Sequence, residues 1–259
     1  MMLMASATRE NEIMIEATNV RYPSISKRII VIVGGFGSGK TEVSVNLGRF
    51  LALSGRHPIA IADFDLVNPY FRSREATAEM AALGIRVIAP KGGQFYADLP
   101  ILLPEIKGMI EMAGGLLILD VGGDAQGARA LGSLSVYFPA GDYEMLMVLN
   151  SRRPLTSDVA GCLKTMRRIE ATAKLKFTGL ISNSHLIDET DADILLEGYR
   201  LALEVSRASN LPIFFVSAKS NILQKMDTKI FDCPVLPLTR SMLKPWERKA
   251  EQTNDKSEK

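Results

Sequence analysis

The stretch Val31-Ile32-Val33-Gly34-Gly35-Phe36-Gly37-Ser38-Gly39-Lys40-Thr41 holds residue types and a spacing that suit phosphate chemistry. An apolar run leads into Gly34-x-x-x-x-Gly39-Lys40-Thr41, and a helical pattern follows. Glycines let backbone N–H groups converge on phosphate oxygens at little conformational cost. Lys40 would reach the β- and γ-phosphates as a point charge, and the Thr41 hydroxyl would bind Mg²⁺. Gly35, Phe36, Gly37, Ser38, Gly39, Lys40, Thr41 and Glu42 are therefore the expected nucleotide-contacting loop and helix start.

Acidic residues recur where other apolar runs stop. Asp63 and Asp65 follow Ile59–Ala62, two residues apart, and would project on one side of an extended chain. Asp120 ends Leu116–Leu119 and suits a carboxylate near Mg²⁺. Gly122 and Gly123 then permit a loop that moves when a γ-phosphate leaves. Asn68-Pro69-Tyr70-Phe71-Arg72-Ser73-Arg74 mixes aromatics with arginines, a composition suited to a partner surface. Lys91–Asp98 and Asn150–Pro154 are loops rich in functional groups, the second reading as part of the rim. His57 and His185 are too isolated to argue as metal ligands.

The elements that must position these residues alternate along the chain. Strands are expected at Ile29–Val33, Ile59–Ala62, Ile85–Ala89, Leu116–Leu119, Met145–Leu149, Thr178–Ser182 and Ile213–Val216. Helices are expected from the glycine loop to Ser54-Gly55, before Leu83-Gly84, and over Leu99–Met112, Ala125–Tyr137, 156–173 and 190–208, with Pro100 and Pro104 kinking the third. That alternation predicts a three-layer α/β/α fold with a mainly parallel sheet of about seven strands. A ligand then belongs beyond the carboxyl ends of the strands, where every polar cluster above falls. One domain is expected over 28–243, with a loosely ordered lead-in at 1–27 and a flexible charged tail at 244–259.

Composition narrows the function classes. The chain has 259 residues, 47% hydrophobic and 23% charged, and a formal net charge of +2 from 31 basic and 29 acidic residues. No cationic field argues for nucleic acid or an anionic membrane as partner. Two distant cysteines, Cys162 and Cys233, read as buried thiols of a reducing compartment, so the cytoplasm is expected.

Ile61-Ala62-Asp63-Phe64-Asp65-Leu66-x-Asn68, one helix after the glycine loop, resembles the switch I segment of the MinD/ParA/CobQ-like P-loop ATPases. These belong to the larger SIMIBI group that includes ArsA, nitrogenase iron protein and signal-recognition GTPases. The resemblance spans roughly 29–220 and is strongest in the first third. It implies that Asp63 lies near the Mg²⁺ shell, that Asp65 orients the attacking water, that Asp120 is the Walker B acid and that Asn183 contacts the purine. The chain departs from the pattern at Gly35, where sandwich-dimer members carry an extra lysine. A cation from elsewhere would then face the equatorial oxygens, with Arg72, Arg74, Lys91 and Arg129 the candidates and Arg129 the favoured one.

Val216-Ser217-Ala218-Lys219 resembles the loop that frames guanine in GTPases, yet Ser184 and His185 follow Asn183 without the aspartate that grips guanine. ATP with Mg²⁺ is the favoured ligand. The expected activity is a nucleoside triphosphatase, slow without its partner, acting as a nucleotide-driven switch through residues 68–75 and the loop after Asp120. Alternatives are an ATP-dependent enzyme of the CobQ/dethiobiotin-synthetase type, a GTPase, or a non-hydrolysing sensor. The protein is expected to be a monomer or homodimer, with no membrane and no nucleic-acid partner.

Overall fold

The computed structural model describes residues 20–65, 74–89 and 104–240. Eight strands form one sheet: β1 (Ile29–Gly34), β2 (Ile59–Phe64), β3 (Ile85–Ile88), β4 (Leu116–Gly122), β5 (Tyr143–Leu149), β6 (Gly179–Ser182), β7 (Ile213–Lys219) and β8 (Val235–Leu238). Their order is β3-β2-β4-β1-β5-β6-β7-β8, and every neighbouring pair is parallel. Crossovers run through α1 (Lys40–Leu53), α2 (Arg74–Ala82), α3 (residues 104–111), α4 (Ala125–Ser135), α5 (Val159–Ala173) and α6 (Ala192–Ser209), with a short α7 (Ser220–Leu223) after β7.

All seven expected strands are present, and the architecture is the expected three-layer α/β class. The additional β8 escaped the sequence pattern because Pro234 and Pro237 punctuate it. As an outer strand it bonds to β7 along one side, which is where a proline without an N–H is tolerated. The N-terminal half of the expected helix over Leu99–Met112, with Pro100, lies outside the described residues, as do 1–19 of the lead-in and the tail at 244–259. Residues 20–28 run against the body of the fold: Arg21 O accepts from Val235 N–H at 2.7 Å, and the Tyr22 ring stacks on Phe50 at 5.1 Å.

Alternation along β1 divides the core. Ile29, Val31 and Val33 join one cluster with Leu131 and Leu134 of α4 and Met166 and Ile169 of α5. Ile30 and Ile32 join another with Val43, Leu47 and Leu51 of α1. Both faces of the sheet are thus covered, which explains the near-continuous apolar runs of its strands. Cys162 and Cys233 are free and buried. Among the described residues no helix is long and apolar enough to cross a membrane.

β1 lies between β4 and β5, so the chain leaves it first toward β2 and β3 and later toward β5 to β8. The crevice at its carboxyl end is the switch point of the sheet. The far wall is fastened by Asn46 of α1, which donates to Thr239 O at 3.0 Å and accepts from Thr239 N–H at 2.9 Å. Asn46→Ala leaves both backbone groups without that partner and should cost about 2 kcal/mol, read as a lower urea midpoint at unchanged slope.

Candidate functional site

Strand alternation decides where the acids point. Leu116 and Ile118 of β4 face α1, so Asp120 does too; Ile59 and Ile61 of β2 bring Asp63 to the same face. β2 and β4 pair with Asp63 directly opposite Asp120. Both carboxylates are buried, at 1% and 0% exposure. The first turn of α1 covers them. Thr41 Oγ1 donates to Asp120 Oδ2 at 2.6 Å, and Lys40 Nζ forms a buried ion pair with Asp65. Asp65 N–H donates to Asp63 Oδ1 at 3.0 Å, which ties the two acids together.

The charges in this corner do not balance within it. Burial opposes the ammonium of Lys40, but Asp120, Asp65 and Asp63 outweigh burial and raise its pKa. Burial pushes the Asp120 carboxyl up to about 6, although Lys40 and the Thr41 hydroxyl pull it down. Asp120 Oδ1 is sealed from solvent without a hydrogen-bond partner among the described residues. An orphaned buried carboxylate oxygen beside a threonine hydroxyl fits a hard divalent cation that takes oxygen ligands. No group of three His, Cys, Asp or Glu side chains forms a closed metal cage among the described residues.

The glycine loop bends round a cavity of about 400 Å³. Gly39 caps α1 at φ +84° and contributes no side chain to the first-turn N–H groups, the arrangement by which helix ends receive anions. An added Cβ at Gly39 would stand 2.3 Å from Asn183 Nδ2, so no other residue fits. Asn183 is held from both sides: Nδ2 donates to Ser38 O at 2.8 Å, and Oδ1 accepts from Ser217 Oγ at 2.9 Å. It thereby joins the loop to β6 and β7. On the acid side, Gly123 N–H donates to Gly34 O at 2.9 Å, and Arg168 of α5 donates to Gly123 O at 3.2 Å. Asp124 caps α4, accepting from Gln126 and Gly127 N–H at 2.7 and 2.8 Å.

The far half of the cavity is walled by His185, Ile187, Thr190, Ser217, Ala218, Lys219, Leu238 and Arg240. Ile187 has φ +59°, a strained conformation for a β-branched residue. Outside this wall Asp188 pairs with Lys219 at 3.5 Å and Arg240 at 3.3 Å. Burial lowers the His185 pKa to about 4, helped by the charges of Arg153 and Lys219 and opposed by the Ser38 backbone. Its Nε2 is buried without a hydrogen-bond partner among the described residues.

The structure therefore brings Lys40, Thr41, Asp63, Asp65 and Asp120 into one corner and places Phe36, Gly37, Gly39, Glu42 and Asn183 on the cavity wall. Ser38 is buried behind the wall, and Gly35 faces Leu155. Arg129 does not join them. α4 packs through Ala128 and Leu131 on the sheet face opposite α1, so Arg129 is exposed and away from the cavity. Arg72, Lys91 and the segment 68–73 lie outside the described residues, and of Arg74 only its place at the start of α2 is described. Arg153, read in the sequence only as part of a rim, lines the cavity, and so does His185, read as isolated. Leu238 and Arg240 carried no sequence signal, because β8 itself was hidden by its prolines.

No protein-family model matches the chain, and no curated protein matches it either. Solved structures do resemble it. Chloroplast FtsY from Physcomitrella patens superposes with TM-score 0.53 at 17% identity, over 87% of this chain and 72% of that one. Cell division protein FtsY from Thermotoga maritima gives 0.50 at 18%, over 82% and 69%. FtsY from Mycoplasma mycoides gives 0.50 at 16%, over 78% of this chain and 63% of that one, just under two thirds of its length. The fold is that of the P-loop nucleoside triphosphatases. Identities this low speak for the fold alone.

His185 makes a pH prediction. The unfolded chain takes a proton there as pH falls through the usual histidine range near 6.5, while the folded protein resists until about 4. Stability should therefore fall across that window. His185→Gln should lose less stability between pH 7 and 4.5 than the parent, by on the order of 2 kcal/mol in denaturant titrations.

Proposed function

We propose that this protein is a Mg²⁺-dependent nucleoside triphosphatase that takes ATP and works as a nucleotide-driven switch on a protein partner. The observation that carries this reading is the buried Lys40–Asp65 pair at the mouth of the glycine loop. Incoming β- and γ-phosphates compete with Asp65 for the ammonium, so ligand binding releases the carboxylate. Asp65 then stands free to orient the attacking water, and Asp63 holds its backbone in place. Asp65 also leads directly into residues 68–75, proposed as the partner-binding segment, so the exchange of partners at Lys40 would be transmitted there.

Thr41 and Asp120, with Asp63 behind them, would hold Mg²⁺. The ion would neutralise charge on the phosphate oxygens. The bond from Gly123 N–H to the Gly34 carbonyl supports a second movable loop beside the phosphates, where loss of a γ-phosphate would be felt.

The far wall of the cavity bears on the choice of base. Guanine is gripped by a carboxylate accepting from its ring N–H and amino groups, and Glu42 and Asp65, the acids that line the cavity among the described residues, belong to the phosphate end. Asp188 is nearby but engaged by Lys219 and Arg240. Adenine demands no such carboxylate. The near-neutral chain adds no cationic field for nucleic acid.

Three proteins test this: the parent, Lys40→Ala and Asp65→Asn, each measured for Mg-ATP and Mg-GTP affinity and for phosphate release. The parent should bind ATP more tightly than GTP and turn over well below one per second. Lys40→Ala should lose at least 100-fold in affinity, about 3 kcal/mol. Asp65→Asn should keep ATP affinity within severalfold and slow hydrolysis at least tenfold. Tight ATP binding by Lys40→Ala, or undiminished turnover in Asp65→Asn, would overturn the assigned roles.

A further inference from the structure

Arg153 lines the cavity without a role in the proposed function, and unlike Lys219 and Arg240 it forms no ion pair with Asp188. It reaches over the glycine loop from the turn after β5. Its backbone N–H donates to Asn150 O at 3.0 Å, and its carbonyl accepts from Thr156 N–H at 2.9 Å, so the turn that presents it is fixed. Its Nε donates to Gly37 O at 2.8 Å. Asn150 Nδ2 donates to the same carbonyl at 3.4 Å and to His185 O at 3.3 Å, which binds the β5 turn, the loop tip and the β6 turn into one corner. The guanidinium lies against the loop. A Cβ at Gly37, where φ is +73°, would stand 2.7 Å from Nε and 2.9 Å from Cζ.

Sheet order says which half of the ligand this corner serves. The acids Asp63 and Asp120 stand on β2 and β4, on one side of β1, whereas Arg153 follows β5 on the other side, beside β6 and β7. Its charge acts on His185, which places the guanidinium on the β5–β7 side of the cavity, across β1 from those acids. Anchored through Nε, Arg153 has two Nη nitrogens that make no hydrogen bond among the described residues. A planar, weakly hydrated cation anchored on a cavity wall that also includes Ile187, Ala218 and Leu238 is suited to an aromatic ring face.

We propose that Arg153 clamps the nucleoside half of the bound nucleotide, covering the purine face with a guanidinium fixed on the Gly37 carbonyl. This rests on the nucleotide reading given above. The residue contributes to binding of ATP and ADP alike, since the base is common to both, and is not the cation that faces the equatorial oxygens during hydrolysis.

Calorimetry with Mg-ATP, Mg-ADP and inorganic tripolyphosphate separates these roles in the parent, Arg153→Ala and Arg153→Lys. Arg153→Ala should weaken ATP and ADP about tenfold each and leave tripolyphosphate within about twofold, which also shows that the loop is intact. Arg153→Lys, which keeps a donor for Gly37 O but no plane, should fall between, and it carries the same comparison if the alanine variant does not fold. Equal weakening of tripolyphosphate and ATP would overturn the clamp and assign Arg153 to the phosphates or to loop shape. Unchanged ATP and ADP affinity would overturn it as well. A parent that binds tripolyphosphate but neither nucleotide, or none of the three, would overturn the nucleotide reading and the clamp with it.

Discussion

One buried ammonium among buried acids governs the site. Lys40 lies at the first residue of α1, facing Asp65 directly and Asp63 and Asp120 through space. Removing charge from water is costly unless opposite charge and hydrogen bonds replace the hydration. A single lysine cannot do so for several carboxylates, and the orphaned Asp120 Oδ1 and the raised Asp120 pKa are the visible remainder. A divalent cation and a polyphosphate together would complete that balance, the first meeting the acids and the second the lysine and the helix end. In the proposed function the corner takes two ligands of opposite sign.

Around that corner the cavity has two halves, and β1 separates them. On one side, β2 and β4 carry the acids and lead into the Gly122-Gly123 turn and the chain beyond Asp65. On the other, β5 to β8 supply Arg153, Asn183, His185, Ser217 and Leu238. Asn183 joins the halves, since its amide is shared between the Ser38 carbonyl and the Ser217 hydroxyl. A displacement of the loop would be felt at β6 and β7 through this side chain, and at the turns after β5 and β6 through Arg153 and Asn150. The division also explains why Arg153 can line the cavity and yet stand across β1 from the acids of β2 and β4.

Much of the site was legible in the sequence because its signals are local. Gly39 and Lys40 are read from spacing within one turn, and Asp63, Asp65 and Asp120 from their position at the ends of apolar runs. Period-two alternation then places Asp63 and Asp120 on a common face without reference to coordinates. Arg129 shows where such reasoning fails. Its distance from Asp120 along the chain is short, but helix phase and the layer occupied by α4 turn it to solvent on the opposite face.

The chain by itself determined the parallel α/β class, the phosphate loop and the acidic strand ends, because each is dictated by residue type and by contacts between near neighbours. Tertiary structure alone decided which distant residues close the cavity on the side of β5 to β8. Arg153 meets Gly37 across 116 positions, Asn183 meets Ser38 across 145, and Thr239 meets Asn46 across 193. Contacts this distant depend on strand order and register, which leave no periodic trace in sequence, and β8 was further disguised by the prolines that an outer strand tolerates.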